Sequence, residues 1–376
     1  MPGAVRRGRC ALEVKGQIAA LDVRRWRRPE VAMRSPDMSL GARLAAYGAV
    51  STSLALCGDR RLRDLVDAAA PVGSGIGGTS VLLEVDGTPV FVKQVRLTDP
   101  ERRPENIRST ANLFGLPVFC QYGIGGIGSP GFGAWRELAA HTMTTNWVVA
   151  GITRASPDVP LAGAARRRTA AARGAGRCGA GGRVLGRRSG VRRRIEALRE
   201  SSASLTLFLE YIPQNLHDWL NTQVGAGGEA AERACAMVES ELDAGLSFMN
   251  AGGLTHFDAH FRNILTDGHR LFLTDFGHAT SSRFELAEEE SEFLDAHREY
   301  DRRYAFTHLV NWLAVALFGY GPEERRAFVH SCAQGVTPPG VPAGVSAALL
   351  RHAPVAAAMG TSPAGSSTRA GRRGMG

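Results

Sequence analysis

Lysine, paired cysteines and long apolar runs are all scarce in this chain of 376 residues. The six cysteines lie far apart and form no CxxC pair, which argues against a disulfide scaffold or a zinc finger and favours a reducing cytoplasm. No apolar run reaches the roughly 18 residues that a membrane helix needs, so we expect a cytoplasmic protein without a membrane partner. Hydrophobic residues make up 44% of the chain, which allows a sizeable core.

Acidic residues are absent between Asp158 and Glu196, a stretch that carries eleven arginines. These arginines account for the excess behind the formal net charge of +9, so the basic charge is local and a nucleic-acid partner is not expected. Because apolar periodicity also stops there and returns at Ile195, we hypothesise that residues 161–192 are encoded in a wrong reading frame. The alternative is a genuine polybasic loop that binds nucleic acid or acidic partners through phosphate contacts.

Only two of the 45 basic residues are lysines, Lys15 and Lys93, and the others are arginines. A lysine retained against such a bias indicates a need for a compact ammonium in place of a planar guanidinium. Lys93 ends the segment Val-Phe-Val-Lys in a predicted hairpin of strands 79–85 and 88–95, joined by an Asp-Gly turn. An alternating strand that presents one lysine can place a positive charge on a triphosphate.

A glycine-rich segment precedes this hairpin and has the pattern GxGxxG at Gly73, Gly75 and Gly78. In a dinucleotide-binding fold such glycines open a helix, whereas here they lead directly into a strand. A glycine loop followed by a hairpin forms a lid over nucleotide phosphates, since the missing side chains let backbone N–H groups approach phosphate oxygens. A flexible turn without a ligand is the alternative for this motif on its own.

The most specific stretch has the form HxDxxxxN from His256 to Asn263, and a DFG triplet begins at Asp275 after a predicted strand. The aspartate Asp258, the asparagine five residues later and the second aspartate can converge as one general base and two Mg²⁺ ligands. A zinc site is the competing interpretation, because His256 and His260 are four residues apart with an acid between them. Zinc hydrolases of that kind need HExxH on a helix, however, and this stretch leads into a strand.

Together, the glycine loop, the strand lysine, HxDxxxxN and DFG resemble the protein-kinase-like superfamily over about 65–320. The features are similar to those of atypical bacterial protein-kinase-domain proteins and of aminoglycoside and choline phosphotransferases. The resemblance implies an α+β fold of two lobes, with a β-rich N-lobe and a mainly helical C-lobe. It also implies that ATP and Mg²⁺ are the cofactors.

The resemblance also implies roles for individual residues. Lys93 would bind the α- and β-phosphates, and Asp258 would be the catalytic base that accepts the proton of the attacking hydroxyl. The ligands of Mg²⁺ would be Asn263 and Asp275. The residues that contact ATP would come from the glycine loop, the lysine strand and the hinge after the next apolar strand: Gly73, Gly75, Gly78, Lys93, Glu210 and Ile212.

A kinase-like site also needs a glutamate that pairs with Lys93, and we assign this catalytic role to Glu137 in a predicted helix. Glu137 lies 44 residues after the lysine, further than is usual in the family, so residues from about 98 to 133 must form an insertion. Glu101 and Glu105 are the alternatives.

Two departures from the family pattern bear on regulation and on the acceptor. Phe257 stands where an arginine usually precedes the catalytic aspartate, and no Ala-Pro-Glu motif follows the DFG triplet. Control through a phosphate on an activation loop is therefore not expected. His260 replaces the lysine of typical Ser/Thr protein kinases and is similar to the histidine of small-molecule phosphotransferases.

The expected organisation of the chain has four parts. Residues 1–39 lack periodicity and are expected to be a disordered extension or the product of an over-long gene assignment. The N-lobe spans 40–212, including the aberrant segment 161–192, and the C-lobe spans 213–335. Residues 336–376 are rich in Pro, Gly and Ala and are expected to form a largely disordered C-terminal tail.

These features predict Mg²⁺-dependent transfer of the γ-phosphoryl group of ATP to a hydroxyl acceptor, either a protein Ser or Thr or a small molecule. The alternative is a pseudokinase, a nucleotide-binding or scaffolding module without catalysis, which a disrupted N-lobe would favour. The two hypotheses differ in whether the protein turns over ATP in a way that depends on Asp258.

Overall fold

A computed structural model of the chain describes residues 39–75, 78–122, 129–152, 162–167 and 189–361. The fold is mixed α+β, with an antiparallel sheet in the first part of the chain and a helical C-terminal part. Helices in the described residues are α1 (Leu40–Ala55), α2 (Asp59–Ala68), α3 (Asp99–Arg102), α4 (Ala134–Val149), α5 (Ser189–Glu200), α6 (Leu216–Ala226), α7 (Gly228–Ala251), α8 (Glu288–Ala296), α9 (Tyr300–Phe318), α10 (Pro322–Ala333) and α11 (Ala343–Thr361). Strands are β1 (Ala70–Gly75), β2 (Gly78–Val85), β3 (Thr88–Leu97), β4 (Ala162–Arg167), β5 (Ala203–Glu210), β6 (Gln214–Asn215), β7 (Leu254–Thr255), β8 (Ile264–Thr266), β9 (Leu271–Leu273) and β10 (Thr280–Ser281).

The larger sheet has the strand order β1-β2-β3-β5-β4, and all of its neighbouring strands are antiparallel. The predicted hairpin is confirmed as β2 and β3, with Val85 opposite Thr88. Its turn residues Asp86 and Gly87 have φ values of 49° and 74°. Two successive positive φ values match the twist of a tight hairpin, which explains why an Asp-Gly pair occurs there.

Side-chain alternation along β3 gives the sheet two covered faces. Val92 points to one face, where it packs in a cluster with Leu54 of α1 and with α2. Val95 points to the opposite face, where it packs in a cluster with Trp135 of α4. Because Lys93 and Val95 are two residues apart in a strand, both side chains point to the face covered by α4.

Part of the arginine-rich stretch forms regular structure. β4 pairs antiparallel with β5 at the edge of the sheet, and α5 begins inside the segment 161–192. An edge strand bonds its one neighbour through backbone N–H and C=O groups, which a sequence rich in Ala and Arg supplies as well as any other. Residues 162–167 of this stretch are therefore an ordered edge strand of the sheet, while the wrong reading frame over 161–192 stays a hypothesis. Residues 168–188 lie outside the described part of the chain.

The helical part contains a helix that the sequence did not predict. Residues 336–376 were expected to form a largely disordered tail, yet α11 packs against α7, α9 and α10. Its buried residues Val345, Leu349 and Ala353 recur every fourth position, so they form one apolar stripe of a helix. The expectation is corrected for the residues of α11, while residues 1–38 and 362–376 lie outside the described ranges.

Among the described residues, no single helix is both long and apolar enough to cross a bilayer. The pair α1 and α2 meets the length and composition requirements only jointly, and the two helices are bent by 117° relative to each other.

Substitution of Leu349 by alanine tests whether α11 belongs to the core. The side chain of Leu349 is fully buried, so its truncation should lower the free energy of unfolding by about 2–5 kcal/mol. Leu56→Ala is the matched control, because Leu56 is 84% exposed and its truncation should change stability by less than about 0.5 kcal/mol. Urea unfolding of the full chain measures both, and equal values for the two variants would contradict the packing of α11.

Candidate active site

Three charged side chains meet at one point although they lie far apart in the sequence. The Nζ atom of Lys93 is 2.6 Å from Oε1 of Glu137 and 2.7 Å from Oδ1 of Asp275. Strand β3 supplies the lysine, α4 supplies the glutamate, and the aspartate follows β9. The sheet, the helix that covers it and the helical part are therefore joined at one ammonium group.

Helix α4 is held in place at its N-terminus by Glu101. Oε1 of this carboxylate accepts a hydrogen bond of 2.8 Å from the backbone N–H of Ala134, and its Oε2 pairs with Arg194 of α5 at 2.9 Å. Glu101 is thus buried and committed to helix capping, while Glu105 is exposed. Of the three glutamates that the sequence offered, Glu137 is the one that contacts Lys93.

The three charges shift one another's pKa values. Burial alone would lower the pKa of Lys93, but the carboxylates of Asp275 and Glu137 hold it above its ordinary value. The ammonium of Lys93 holds the pKa of Asp275 below its usual range. Burial raises the pKa of Glu137, because the attraction of Lys93 does not fully offset the loss of water. Two carboxylates share one ammonium here, so a further cation beside Asp275 would be electrostatically favoured.

The segment between β7 and β8 carries Asp258 and Asn263. The Nδ2 atom of Asn263 donates to Oδ2 of Asp258 at 3.0 Å and to its carbonyl oxygen at 3.1 Å. The backbone N–H of Thr274 donates to the carbonyl oxygen of Asn263 at 3.0 Å. This bond aligns the segment with the end of β9, where Asp275 follows.

Asp301 at the start of α9 binds the backbone of the segment between β7 and β8. Its Oδ2 accepts a hydrogen bond from the backbone N–H of His256 at 2.5 Å, and its Oδ1 accepts one from Phe257 at 2.8 Å. Sequence analysis missed Asp301, because a lone acid more than forty positions away forms no motif with the residues it binds. Its burial is the feature that distinguishes it, and burial appears only in the folded chain.

Backbone strain is concentrated beside the site. Phe257 and Asp275 have φ values of 63° and 61°, a left-handed conformation that side chains other than glycine adopt rarely. Each such residue costs about 1–3 kcal/mol unless its surroundings impose the conformation, and strained residues of this kind cluster at functional sites. Phe257 directly precedes Asp258, and Asp275 is a member of the ion pair, which agrees with a site whose geometry is imposed by the fold.

A cleft of about 310 Å³ opens onto these side chains. Gly78 at the start of β2 also lines it, and a Cβ atom there would lie 1.6 Å from the carbonyl oxygen of Gln94. Only glycine fits at this position, where φ is 152°. The described residues that line the cleft are Gly78, Ser80, Lys93, Val95, Arg96, Ser129, Pro130, Gly131, Gly133, Ala134, Glu137, Arg194, Leu198, Asp258, Asp275, Gly277 and His278.

The predicted hinge residues lie at the end of β5. The carboxylate of Glu210 is bound by Arg43 of α1, whose Nε and Nη2 atoms donate at 2.7 and 2.8 Å. The same guanidinium lies over the ring of Phe272 in β9, 5.0 Å from its centroid. Ile212 is buried just beyond. Sequence analysis gave no sign of this clasp, because it joins positions 167 residues apart.

Behind Asp275, the ring of Phe276 lies between two histidines. Its centroid is 5.0 Å from the ring of His141, one helical turn after Glu137, and 5.1 Å from the ring of His256. The Nε2 atom of His256 is bonded to the carbonyl oxygen of Thr274, but both ring nitrogens of His141 are buried without a hydrogen-bond partner. Burial lowers the pKa of His141 to about 3. His141 is therefore a neutral, apolar-like contact for Phe276.

Replacement of His141 by leucine should change how stability depends on pH. The imidazole has its ordinary pKa of about 6.5 when the chain is unfolded and about 3 when folded, so the unfolded state binds more protons between these values. The contribution of neutral His141 to the free energy of unfolding is thus fully present above pH 6.5. It falls by about 1.4 kcal/mol for each pH unit below that value. His141→Leu should lack this loss.

The measurement is urea unfolding at pH 7 and pH 5. The stability difference between His141→Leu and wild type should grow by about 2 kcal/mol in favour of the variant at the lower pH. His269→Leu, at an exposed position of the β8–β9 hairpin, is the matched control. A variant at position 141 that follows the wild-type pH dependence would contradict the buried, neutral state of His141.

The structure thus brings part of the predicted site together at one cleft. Lys93, Glu137, Asp258, Asp275 and Gly78 line it, and Asn263 is bonded to Asp258. The other predicted ATP contacts are not among its described lining: Gly73, Gly75, Glu210 and Ile212. No known protein family model matches the chain, and no curated protein matches it at a significant level.

Proposed function

We propose that this protein has a bilobal protein-kinase-like fold and transfers the γ-phosphoryl group of ATP to a hydroxyl acceptor. The observation that carries the proposal is the contact of Lys93 with both Glu137 and Asp275 in a cleft that also exposes Asp258. The strand order β1-β2-β3-β5-β4 supports it, because that order sets the lysine strand directly beside the hinge strand β5.

The phosphates of the nucleotide are proposed to lie between Gly78 and Lys93. The ammonium of Lys93 is a compact charge with three donors, which suits phosphate oxygens, and Gly78 places no side chain between the start of β2 and the cleft. The backbone at Glu210 and Ile212 is proposed to hold the adenine, since the side chain of Glu210 is already bound by Arg43. A cation that accompanied the nucleotide and bound Asp275 would relieve the competition of the two carboxylates for the ammonium of Lys93.

Mg²⁺ is proposed to bind Asp275 and Asn263. The side chain of Asp275 is 49% exposed, and its lowered pKa keeps it charged, so it can reach a cation in the cleft. Among the described residues, no group of three or more His, Cys, Asp or Glu side chains could hold a metal. Mg²⁺ commonly takes one or two protein ligands and completes its octahedron with phosphate oxygens and water. Bound there, the ion would neutralise charge on the transferred phosphoryl group.

Asp258 is proposed as the base that receives the proton of the acceptor hydroxyl. Asn263 fixes its carboxylate, and two imidazoles flank it, with Nε2 of His260 3.8 Å from Oδ1 and Nδ1 of His278 3.9 Å from Oδ2. The carboxylate therefore has one orientation and faces the cleft. A hydroxyl bonded to it would lie on the same side as a phosphate held by Lys93, as in-line transfer needs. The proposed acceptor of the phosphoryl group is either a protein Ser or Thr or a small-molecule alcohol.

Substitution of Asp258 by asparagine tests the catalytic proposal. Loss of the base should lower kcat for Mg²⁺-dependent ATP turnover by on the order of 10²–10⁴-fold, with little change in nucleotide affinity. Asp267→Asn in the β8–β9 turn is the matched control, because asparagine keeps the oxygen that caps His269 and Arg270. Acceptors to test include a generic basic protein and a panel of aminoglycosides.

Equal turnover in Asp258→Asn and wild type would remove the enzyme interpretation. If neither protein turns over ATP yet both bind it, the remaining function is the non-catalytic nucleotide-binding module.

Nucleotide binding is tested separately by an ATP analogue with an amine-reactive group near its phosphates. It should modify Lys93, and free ATP with Mg²⁺ should block the modification, since both need the same ammonium. A Lys15→Arg background leaves Lys93 as the only lysine, and peptide mass spectrometry identifies the modified site. Modification that ATP does not reduce would contradict the phosphate-binding role.

A further inference from the structure

Arg136 has an unusual setting for an arginine next to a proposed active site. Its side chain is almost fully buried, and its guanidinium lies near the rings of Phe132 and Phe284, 5.0 and 5.9 Å from their centroids. Its Nε donates to the carbonyl oxygen of Thr110 at 2.7 Å, and its Nη2 donates to Oε1 of Glu290 at 2.8 Å. One side chain thus joins α4 to the insertion and to α8.

A buried guanidinium needs hydrogen-bond partners. Arg136 has them at Nε and Nη2, while its Nη1 is buried without one. Removing an arginine and a carboxylate from water is expensive, and the attraction within the pair repays it only when the geometry is good and further hydrogen bonds are made. The planar guanidinium can bond the carbonyl oxygen and the carboxylate at once, whereas an ammonium cannot keep this fork geometry. The contacts of Arg136 therefore specify one position of α4 relative to α8.

Arg136 and Glu137 are successive residues of one helix, so their side chains leave it about 100° apart. Glu137 reaches Lys93 of the sheet, and Arg136 reaches Glu290 of the helical part. Rotation of α4 about its axis would break both contacts together. The ion pair of Arg136 with Glu290 therefore opposes rotations that would turn Glu137 away from the lysine.

The insertion also binds the segment that follows the DFG triplet. The backbone N–H of Glu285 donates to Oγ1 of Thr110 at 2.8 Å, and Nε2 of Gln121 donates to Oγ1 of Thr280 at 2.6 Å. Arg136 bonds the same residue, Thr110, through its carbonyl oxygen. Residues 98–122 are therefore a brace between α4 and the chain that leaves Asp275.

We infer that Arg136 and Glu290 are positioning residues of this site, whose buried ion pair keeps Glu137 on Lys93 without a covalent modification or a partner protein. The catalytic importance of this pair rests on the proposed function. The contacts themselves are present in the protein without a nucleotide, so they can be tested without turnover. The pair accounts for the contact of Glu137 with Lys93 by interactions within the chain alone.

The reactivity of Lys93 toward an amine-reactive ester measures this positioning without nucleotide or turnover. In a Lys15→Arg background, Arg136→Met should free α4 and separate Glu137 from Lys93. Because the side chain of Lys93 is only 18% exposed while it is paired, the ester should then modify it faster, by on the order of tenfold at pH 8. Arg302→Met is the matched control. Arg302 also pairs with an acid, Asp243 at 2.7 Å, and stacks on a ring, that of Phe306, yet contacts neither α4 nor the brace.

Thermal unfolding of each variant shows whether it is folded under the labelling conditions. If Arg136→Met does not fold, Glu290→Gln replaces it, because glutamine keeps the shape and one acceptor oxygen while removing the charge. Its effect on Lys93 should be in the same direction and smaller. Folded variants at both positions with the wild-type labelling rate would overturn the inference, as would equal acceleration by Arg302→Met.

The two proposals fail separately in this experiment. Faster labelling of Lys93 in Arg136→Met, in a protein without ATP turnover, would support the positioning pair and reject the enzyme. Unchanged labelling of Lys93 in Arg136→Met, in a protein whose ATP turnover depends on Asp258, would reject the positioning pair and support the enzyme. Where turnover exists, Arg136→Met should lower kcat by on the order of tenfold or more, while Arg302→Met should not.

Discussion

One ammonium group between two carboxylates is the contact on which the rest of this structure depends. Lys93, Glu137 and Asp275 belong to a strand, a helix and a loop that no local interaction connects. Their meeting requires that β3 present the lysine toward α4, that α4 be capped at the correct residue, and that the chain after β9 adopt a strained conformation at Asp275. Each of these requirements is met by a specific contact elsewhere.

Buried ion pairs fix the position of α4. Glu101 with Arg194 and Arg136 with Glu290 are ion pairs almost without solvent exposure, and both lie at the ends or sides of α4. Such pairs add little net stability over apolar side chains of the same size, but an unpaired member is strongly unfavourable. They therefore penalise alternative positions of the helix, which is what a site with fixed distances needs.

Local features of the fold could be predicted from the sequence because their cause is local. The β2–β3 hairpin follows from alternating apolar residues around an Asp-Gly turn, and the importance of Lys93 follows from the scarcity of lysine. Helix α11 was missed because its buried positions mix Val345 and Leu349 with small residues such as Ala353, in a segment whose Pro and Gly content resembles that of a tail. A helix made of small residues is stabilised by the surface it packs against, and that surface is not visible in its own sequence.

The candidate site could be predicted only where its residues form motifs. HxDxxxxN and DFG place Asp258, Asn263 and Asp275 within twenty positions, so their convergence needs one hairpin. Asp301 and Arg136 act on the same site from separate helices, and nothing in the spacing of these two residues distinguishes them from surface charges. Tertiary packing assigns their roles, and packing is the information that a single sequence carries least directly.

The salt bridge of Arg43 with Glu210 gives helix α1 a role beyond covering the sheet. The same guanidinium also lies over the ring of Phe272 in β9, so one side chain of α1 contacts both the end of β5 and the helical part. These contacts involve none of the residues of the Lys93 ion pair. Truncation of Arg43 would therefore remove both links in a single step.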